Sequence, residues 1–391
     1  MKPVDKDANE RVTMANPHLA DGRLVVALCL PVLYEVWRMA YFAMIVANTA
    51  LAKSAGASWW SQGFTYLWNF VSPYTLWLPF LLAVPLAVPR IRRWWSTRDR
   101  IGVVVLLTPA VAGMADMLYV VHVGGDYMHA RLLLPAFLSV CLALYVDMAQ
   151  LRSLVVIAVA GIVIWTLVCA GWLRGPQAGS FADINRIDNE RSVSIDVTGN
   201  PHPITVADWG DNPTMVRYRK IAAMAAHQGR QLMFVGTYPW LAALWDPQDI
   251  RAARSPLPFA LAVDLTNIGV DGYTAGPSVY VFDALSLANP IGSHTPLLVH
   301  GRPGGDKIIG PSWMIARFGV PGEPFPEGTA SSQSIAAATK SLDCQPLSSY
   351  LKAITAPLTF SQALSNVMHS LTYTTMSFSS NPIQAEQKLC R

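Results

Sequence analysis

Charge is what this sequence has least of. Of its 391 residues only 14% are Asp, Glu, Lys or Arg, while 52% are hydrophobic; an average soluble domain carries about 25% charged residues. A chain so poor in charge reads first as a membrane protein. The net charge of +4 is small and the Lys and Arg residues are scattered rather than striped, which excludes a nucleic-acid footprint. No internal repeat, heptad or low-complexity run is visible. No glycine-rich nucleotide loop is present either: Gly301-Arg-Pro-Gly-Gly-Asp306 does not join a strand to a helix with the required spacing. The first 23 residues hold Lys2, Asp5, Lys6, Asp7, Glu10 and Arg11 without the apolar centre of a signal peptide, so they read as a short disordered cytoplasmic tail.

Cysteine is also scarce. Of five, Cys29, Cys141 and Cys169 lie in apolar runs, where a thiol behaves as a small hydrophobe. Cys344 and Cys390 lie in the polar C-terminal part; if that part is outside the cytoplasm, they are natural disulfide partners. Aromatic rings are plentiful by contrast. Thirteen Trp and thirteen Tyr, among them the pairs Trp59-Trp60 and Trp94-Trp95, suit the ring belts of a lipid interface.

Five apolar segments follow the tail: Leu24–Val36, Leu76–Val88, Ile101–Val123, Leu132–Met148 and Leu154–Trp172. A bilayer crossing needs about 20 residues of helix. The first segment is short for that, and the second carries Pro79, Pro85 and, just beyond it, Pro89, so a kinked or broken helix is expected there. The loop Arg90-Ile-Arg-Arg-Trp-Trp-Ser-Thr-Arg-Asp-Arg100 holds five arginines against Asp99 and belongs on the cytoplasmic side by the positive-inside rule. Counting crossings from it puts Gln150–Ser153 inside, and Arg38–Tyr74, Gly124–Arg131 and everything after Arg174 outside. The expected fold is a polytopic α-helical membrane protein of about five transmembrane helices with a C-terminal extracytoplasmic α/β domain. Its parts are a cytoplasmic tail (1–23), a transmembrane helical region (24–173) and the outer domain (174–391).

Beyond Arg174, Gly, Pro, Asn and Asp become frequent and apolar runs shorten to strand length. Met215–His227, Ser332–Leu342 and Phe360–His369 read as helices; Gln231–Gly236, Phe259–Leu265 and Ser278–Asp283 read as strands. His202, Asp208, Asp211, Asp264, His294, His300, Asp306 and Lys307 are the polar candidates of this region. None shows metal-ligand spacing or a nucleophile–base pattern, and each reads as a cap, a turn or a solvated side chain.

The most informative stretch is Gly124-Gly-Asp-Tyr-Met-His-Ala-Arg131, a polar knot between two long apolar runs. Ionisable groups at a membrane surface are costly and tend to act on something. Asp126 could serve as a general base or hold a divalent cation, His129 could transfer protons, and Arg131 could clamp a phosphate or carboxylate. Alternatively, Asp126 caps a helix starting near Tyr127 and Arg131 snorkels to lipid headgroups. A second constellation runs from Arg38 and Tyr41 to Asn48 and Lys53. It either rests on lipid phosphates or holds the anionic head of a lipid-linked substrate. Glu35 and Arg38, three residues apart, are a helix-end ion pair or a substrate-facing pair.

These residues resemble a known family. Arg38-Met-Ala-Tyr-Phe42, Asn48-Thr-Ala-Leu-Ala-Lys53, Trp60-Ser-Gln-Gly63 with Tyr66-Leu67, and Gly124-Gly-Asp-Tyr-Met-His129 with Arg131 are similar to the terminal β-(1→2)-arabinofuranosyltransferases of mycobacterial cell-wall synthesis. So are His202-Pro203, Ala207-Asp208, Leu287–Pro290 with His294-Thr295, Asp306-Lys307, Trp313, Cys344, Ala356-Pro357, Leu364-Ser-Asn366 with His369-Ser370, and Cys390. The matches run in order from about residue 31 to the C-terminus.

The resemblance implies a polytopic, GT-C-type glycosyltransferase of the plasma membrane. Its donor would be decaprenyl-phosphoryl-arabinofuranose and its acceptor the terminal positions of cell-wall arabinan, in arabinogalactan or lipoarabinomannan. Arg38, Lys53 and Arg131 would hold the lipid phosphate, Tyr41, Asn48 and His129 would line the substrate, and Asp126 would position the acceptor or a cation. It fixes no particular cofactor; a divalent cation is an option. The transition state would be oxocarbenium-like, and the family's β-linked donor and product imply net retention, which a single in-line displacement does not give.

Family members carry further helices ahead of the matched region and an adjacent aspartate pair in their first outer loop. This sequence has no Asp-Asp pair, so the expectation is a truncated or mis-started member retaining the C-terminal part. The alternative is a catalytically inactive remnant acting as a membrane scaffold or glycan-binding protein. A transporter would show paired broken helices and inverted repeats, and these are not seen.

Overall fold

A computed structural model describes residues 17–54, 56–83, 100–142, 153–172, 186–209, 213–235, 250–266, 268–301, 303–325 and 328–391. The arginine-rich loop with Trp94 and Trp95, residues 150–152, Asp211 and Gly236 lie outside these.

The chain is mostly helical. Helix α1, Pro17–Phe42, is 26 residues long with Pro31 inside it. It therefore runs well past both ends of the apolar segment Leu24–Val36 and begins within the stretch expected to be a disordered tail. Helix α2, Asn48–Ala52, is one short turn, and α3, Trp60–Val71, is amphipathic. Residues 77–83 are helical, the described part of the proline-bearing segment Leu76–Val88. Next come α4, Arg100–His122, α5, Leu133–Leu142, and α6, Ser153–Gly171. Among the described residues two helices are long and apolar enough to cross a membrane: Gly102–His122 within α4, and α6. Their apolar side chains stay largely exposed, as at Val105, Met114, Ile157 and Leu167. A water-soluble protein would bury such faces.

Backbones pack closely where this helical region reaches its polar turn. A Cβ at Gly63 of α3 would fall 1.8 Å from the Val121 carbonyl oxygen of α4, so only glycine permits this approach. Tyr66, Phe70, Leu76, Val120, Ala130, Leu133 and Ile187 form the apolar core beneath.

The rest of the chain builds a small α/β layer and a helical cap. Helix α7 is Glu190–Thr198 and α8 is Pro213–His227. Strands β1 (Leu232–Phe234), β2 (Ile250–Ala252), β3 (Leu261–Leu265) and β4 (Val279–Asp283) form one sheet in the order β2-β1-β3-β4. Strand β1 is parallel to β3, β3 is parallel to β4, and β2 is antiparallel to β1. Helix α9, Ile268–Ala275, provides the crossover between β3 and β4. Every residue of β3 is buried, as expected for a central parallel strand covered on both faces. The expected helix over Met215–His227 and the strands over Phe259–Leu265 and Ser278–Asp283 coincide with α8, β3 and β4. Strand β2 was not expected, because three residues carry no readable alternation.

Five helices close the chain: α10 Pro311–Phe318, α11 Ser332–Asp343, α12 Leu347–Thr355, α13 Phe360–Thr375 and α14 Pro382–Leu389. Three of them begin on side-chain caps. Ser331, Thr359 and Asn381 accept from the backbone N–H groups of Ser334, Gln362 and Ile383, which satisfies otherwise orphaned donors. A disulfide joins Cys344 at the end of α11 to Cys390 at the end of α14, 46 residues apart. Closing a loop of that length stabilises by about 4 kcal/mol in the chain-entropy picture. The core of this body includes Trp313, Tyr350, Tyr373 and Phe378, and also Ala43 and Met44. The chain leaving α1 is thus built into the C-terminal body.

Candidate functional site

The polar knot is shaped by its two glycines. Gly124 and Gly125 adopt φ of +92° and +76°, the left-handed region that side chains disfavour, and end α4 with N–H bonds to Val121 and Val120 carbonyls. A Cβ on Gly125 would sit 2.4 Å from the Tyr66 ring. The buried Tyr66 hydroxyl then pins the turn from both sides, donating to the Met128 carbonyl at 2.9 Å and accepting from the Leu132 N–H at 3.2 Å. On the outer side, residues 127–129 run alongside Asp188: its N–H donates to the Tyr127 carbonyl at 2.6 Å, and its carbonyl accepts from the His129 N–H at 3.1 Å.

This turn aims Asp126 inward. Its side chain is 1% exposed and lies between two cations, with Lys53 Nζ 3.5 Å from Oδ1 and Arg131 Nη2 on Oδ2. The cations themselves reach the surface, their side chains 30% and 42% exposed, and the Arg131 guanidinium stacks 5.5 Å from the Tyr127 ring centroid. Asp126 therefore neither caps a helix nor faces an open cleft: no helix begins at Tyr127, and α5 starts only at Leu133. Both of its oxygens are engaged by these two side chains. A divalent ion there would have to displace both Lys53 and Arg131, and among the described residues no three His, Cys, Asp or Glu side chains converge.

The other expected site residues divide. His129 lies behind the knot, its Nδ1 2.6 Å from Asn69 Oδ1. Burial lowers its pKa, so it is held neutral, and its Nε2 is buried without a partner. Asn48 faces the C-terminal body, where its Oδ1 accepts from Ser293 Oγ at 3.3 Å. Arg38 is committed to Glu35 through two contacts of 3.0 and 2.6 Å, the helix-end ion pair. Tyr41 stacks on Trp37 at 5.7 Å. Arg38 and Tyr41 thus sit at the end of α1, apart from the Lys53–Asp126–Arg131 cluster, and their expected role at the lipid phosphate stays an expectation.

Three further groups complete the site. Glu190, in the first turn of α7, is half-buried; burial pushes its carboxyl up and the nearby Arg131 draws it back. Trp59 stacks against His300, ring centroids 4.1 Å apart, and the Arg186 guanidinium lies 5.1 Å from the same indole. The loop that carries His300 folds over the knot at Gly304, where a Cβ would lie 3.2 Å from Lys53 Cε and 3.7 Å from Asp126 Oδ1. Asp306 closes that loop by accepting from the Gly301 N–H at 2.5 Å. Burial raises the Asp306 pKa, partly opposed by the Gly301 N–H and the charges of His300 and Arg186. Lys307, buried next to it, donates to the Leu51 and Ser293 carbonyls, fastening α2 to the loop.

Between these parts lies a cavity of about 110 Å³, walled by Lys53, Trp59, Tyr119, Val123, Leu132, Leu297, His300, Gly304 and Asp306 among others. It combines an apolar and aromatic wall with one cation and one carboxylate, and the buried Nδ1 of His300 has no partner. The sequence points to His300, Asp306 and Lys307 as polar candidates but not to Gly304, because a loop glycine has no readable partner until the chain is folded over Lys53.

Residues 211–388 match the AftB family C-terminal domain. Over 389 residues the chain is 34% identical to the terminal β-(1→2)-arabinofuranosyltransferase of Mycobacterium tuberculosis, an alignment covering 88% of this chain and 60% of that protein. It is 29% identical over 396 residues to the protein of the same name from Corynebacterium glutamicum, covering 92% of this chain and 55% of the relative. The chain therefore spans somewhat more than half the length of these relatives. No solved structure matches it.

Proposed function

The chain belongs to the AftB family, and on that premise we propose that it acts in transfer of arabinofuranose from a polyprenyl-phosphate donor to the ends of cell-wall arabinan. It would do so as a multi-pass plasma-membrane protein of about five spans, with the C-terminal body outside the cytoplasm. The observation that supports this most directly is the convergence of Lys53 and Arg131 on the buried Asp126, at the end of an apolar helix and beside a ring-sized cavity.

In this reading Asp126 is a positioning residue. It fixes two cations before substrate arrives, so their field costs no reorganisation when negative charge develops on the departing phosphate. Arg131 offers a planar fork to phosphate oxygens and Lys53 a point charge. The polyprenyl chain stays in the bilayer beside α4, and the arabinofuranosyl ring occupies the cavity against Trp59 and His300. The bond from the anomeric carbon to the phosphate oxygen breaks first, leaving an oxocarbenium-like ring in the cavity, and an acceptor hydroxyl then forms the new bond on the face the phosphate left, which keeps the configuration. The hydroxyl proton passes to the Asp306 carboxylate, whose burial brings it nearer to working pH and so makes it a better base.

The test is arabinosyl transfer from a synthetic polyprenyl-phosphoryl-arabinose to an arabinan oligosaccharide in membranes containing the protein. Transfer that is lost in Arg131→Ala with insertion intact supports the reading. Transfer by Arg131→Ala at the wild-type rate overturns the role given to this centre.

A further inference from the structure

Helix α13 is turned inside out for a surface helix. Its buried residues are Asn366, Ser370 and Tyr373, whereas Phe360, Leu364, Met368 and Leu371 are exposed, Phe360 at 88% and Met368 at 73%. Steps of four, four and three residues place these four on one stripe, about 16 Å long at 1.5 Å per residue. Leu358, also exposed, extends it. No Lys, Arg, Asp or Glu occurs between Lys352 and Glu386, an interval in which an ordinary soluble sequence would carry about eight.

The polar face of α13 is consumed by α1. Asn366 Nδ2 donates to the Ala40 carbonyl at 2.8 Å, Ser370 Oγ lies 3.4 Å from Met39 Sδ, and Thr374 Oγ1 accepts from the Ile45 N–H at 2.8 Å. Helix α1 shows the same inversion, with Leu30, Leu33, Trp37 and Tyr41 exposed at helical spacing. Next to the seam lies a cluster of rings: Tyr34–Trp37, Trp37–Tyr41 and Tyr41–Phe42 centroids are 5.8, 5.7 and 4.7 Å apart. Polar groups satisfied between helices and apolar groups turned outward are what a hydrocarbon solvent selects. Aromatic rings gathered in the last turns of a helix mark its boundary.

We propose that α13 is immersed in the bilayer, lying at the interface of the leaflet on the side of the C-terminal body, with lipid acyl chains covering Phe360, Leu364, Met368 and Leu371. This rests on the membrane placement proposed above and goes beyond it, since α13 belongs to the body read as lying outside the membrane. An interfacial helix of this kind sinks about 5–10 Å into the headgroup boundary. The consequence reaches the site. Just past α13, the Met376 carbonyl is 3.2 Å from His294 Nδ1 and the Phe378 N–H donates to the His294 carbonyl, and the chain from His294 runs on to the loop holding His300, Gly304 and Asp306. Lipid contact at α13 would thereby set the height of that loop over the membrane surface.

The experiment is photocrosslinking of the full chain in native membranes, with benzoylphenylalanine placed at Leu364, at Met368 or, as a control, at the exposed Lys340 of α11. Intact mass then reports what has been captured, and a persisting Cys344–Cys390 disulfide reports correct folding. A phospholipid mass adduct at residues 364 and 368, and none at 340, is expected. A protein adduct at 364 and 368, showing the stripe covered by another polypeptide, overturns the proposal, as does the absence of lipid adducts there. Alkaline carbonate extraction of the same membranes separates the two levels. A chain retained in the pellet without lipid adducts refutes only the α13 placement, whereas a chain released by carbonate refutes the membrane reading itself.

Discussion

Lys53 and Asp126, 73 residues apart in the chain, meet with Nζ 3.5 Å from Oδ1, and Arg131 holds the other carboxylate oxygen. The burden of this cluster is unevenly shared. Asp126 is buried, while Arg131 reaches water, so removing the cation should cost more than removing the anion. Breaking a buried pair costs about 3–5 kcal/mol when the charge left behind is buried and unpaired; here Lys53 stays on Asp126 and offsets part of that. Arg131→Met is therefore expected to lower the unfolding temperature of the detergent-solubilised protein more than Asp126→Asn. Equal or reversed effects in a thermal unfolding scan would show that Asp126 is not the desolvated partner.

Two glycines of the site should respond differently to the same substitution. At Gly125 a methyl group would strike the Tyr66 ring at 2.4 Å, in a left-handed backbone, so Gly125→Ala should abolish stable expression or unfold the turn. At Gly304 the nearest atom is the flexible end of Lys53 at 3.2 Å. Gly304→Ala should fold, with a loss of roughly 1–2 kcal/mol from its positive φ, and shift Lys53. Expression level and thermal stability of the two variants decide the matter, and similar behaviour would count against the described turn.

A third expectation concerns the sheet. Asp264, 1% exposed and with both oxygens unpartnered, is the penultimate residue of β3, one register position from Asp283 of β4. Burial, and secondarily the Asp283 charge, push its pKa up to about 8. Below the ordinary carboxyl value of 3.8 both folded and unfolded chains are protonated. From there to about 8 the unfolded chain gives up the proton and the folded one keeps it. Stability should fall as pH rises across that window and level off above it, by roughly a few kcal/mol in all. Asp264→Asn should flatten the curve of unfolding temperature against pH; a wild-type slope in that variant would assign the dependence elsewhere.

Much of the helical framework could be read from the sequence because long apolar runs leave few alternatives: Ile101–Val123 and Leu154–Trp172 coincide with α4 and α6 to within a residue. Phe360–His369 was read as an ordinary outer-domain helix, because its stripe of Phe360, Leu364, Met368 and Leu371 has the same period whether it faces a core or a lipid. Only the polar bonds from Asn366 and Thr374 to the end of α1 reveal which side is inside. At the site, the ionisable types and the two glycines singled out Asp126 and Arg131. Sequence could not show that Asp126 faces inward, that Arg38 is spent on Glu35, or that Gly304 covers Lys53, since each depends on contacts between distant segments.

The central claim is that Lys53 and Arg131, held by Asp126, grip a lipid phosphate. Its most direct measurement is the affinity of a short-chain polyprenyl phosphate for the full chain in nanodiscs, compared with Arg131→Ala and Asp126→Asn. A hydrogen bond to a charged group contributes about 1.5–3 kcal/mol. Arg131→Ala should therefore weaken binding by roughly ten- to a hundredfold, and Asp126→Asn should weaken it as well, because the cations lose their anchor. Wild-type affinity in Arg131→Ala, or tighter binding in Asp126→Asn, would contradict the account.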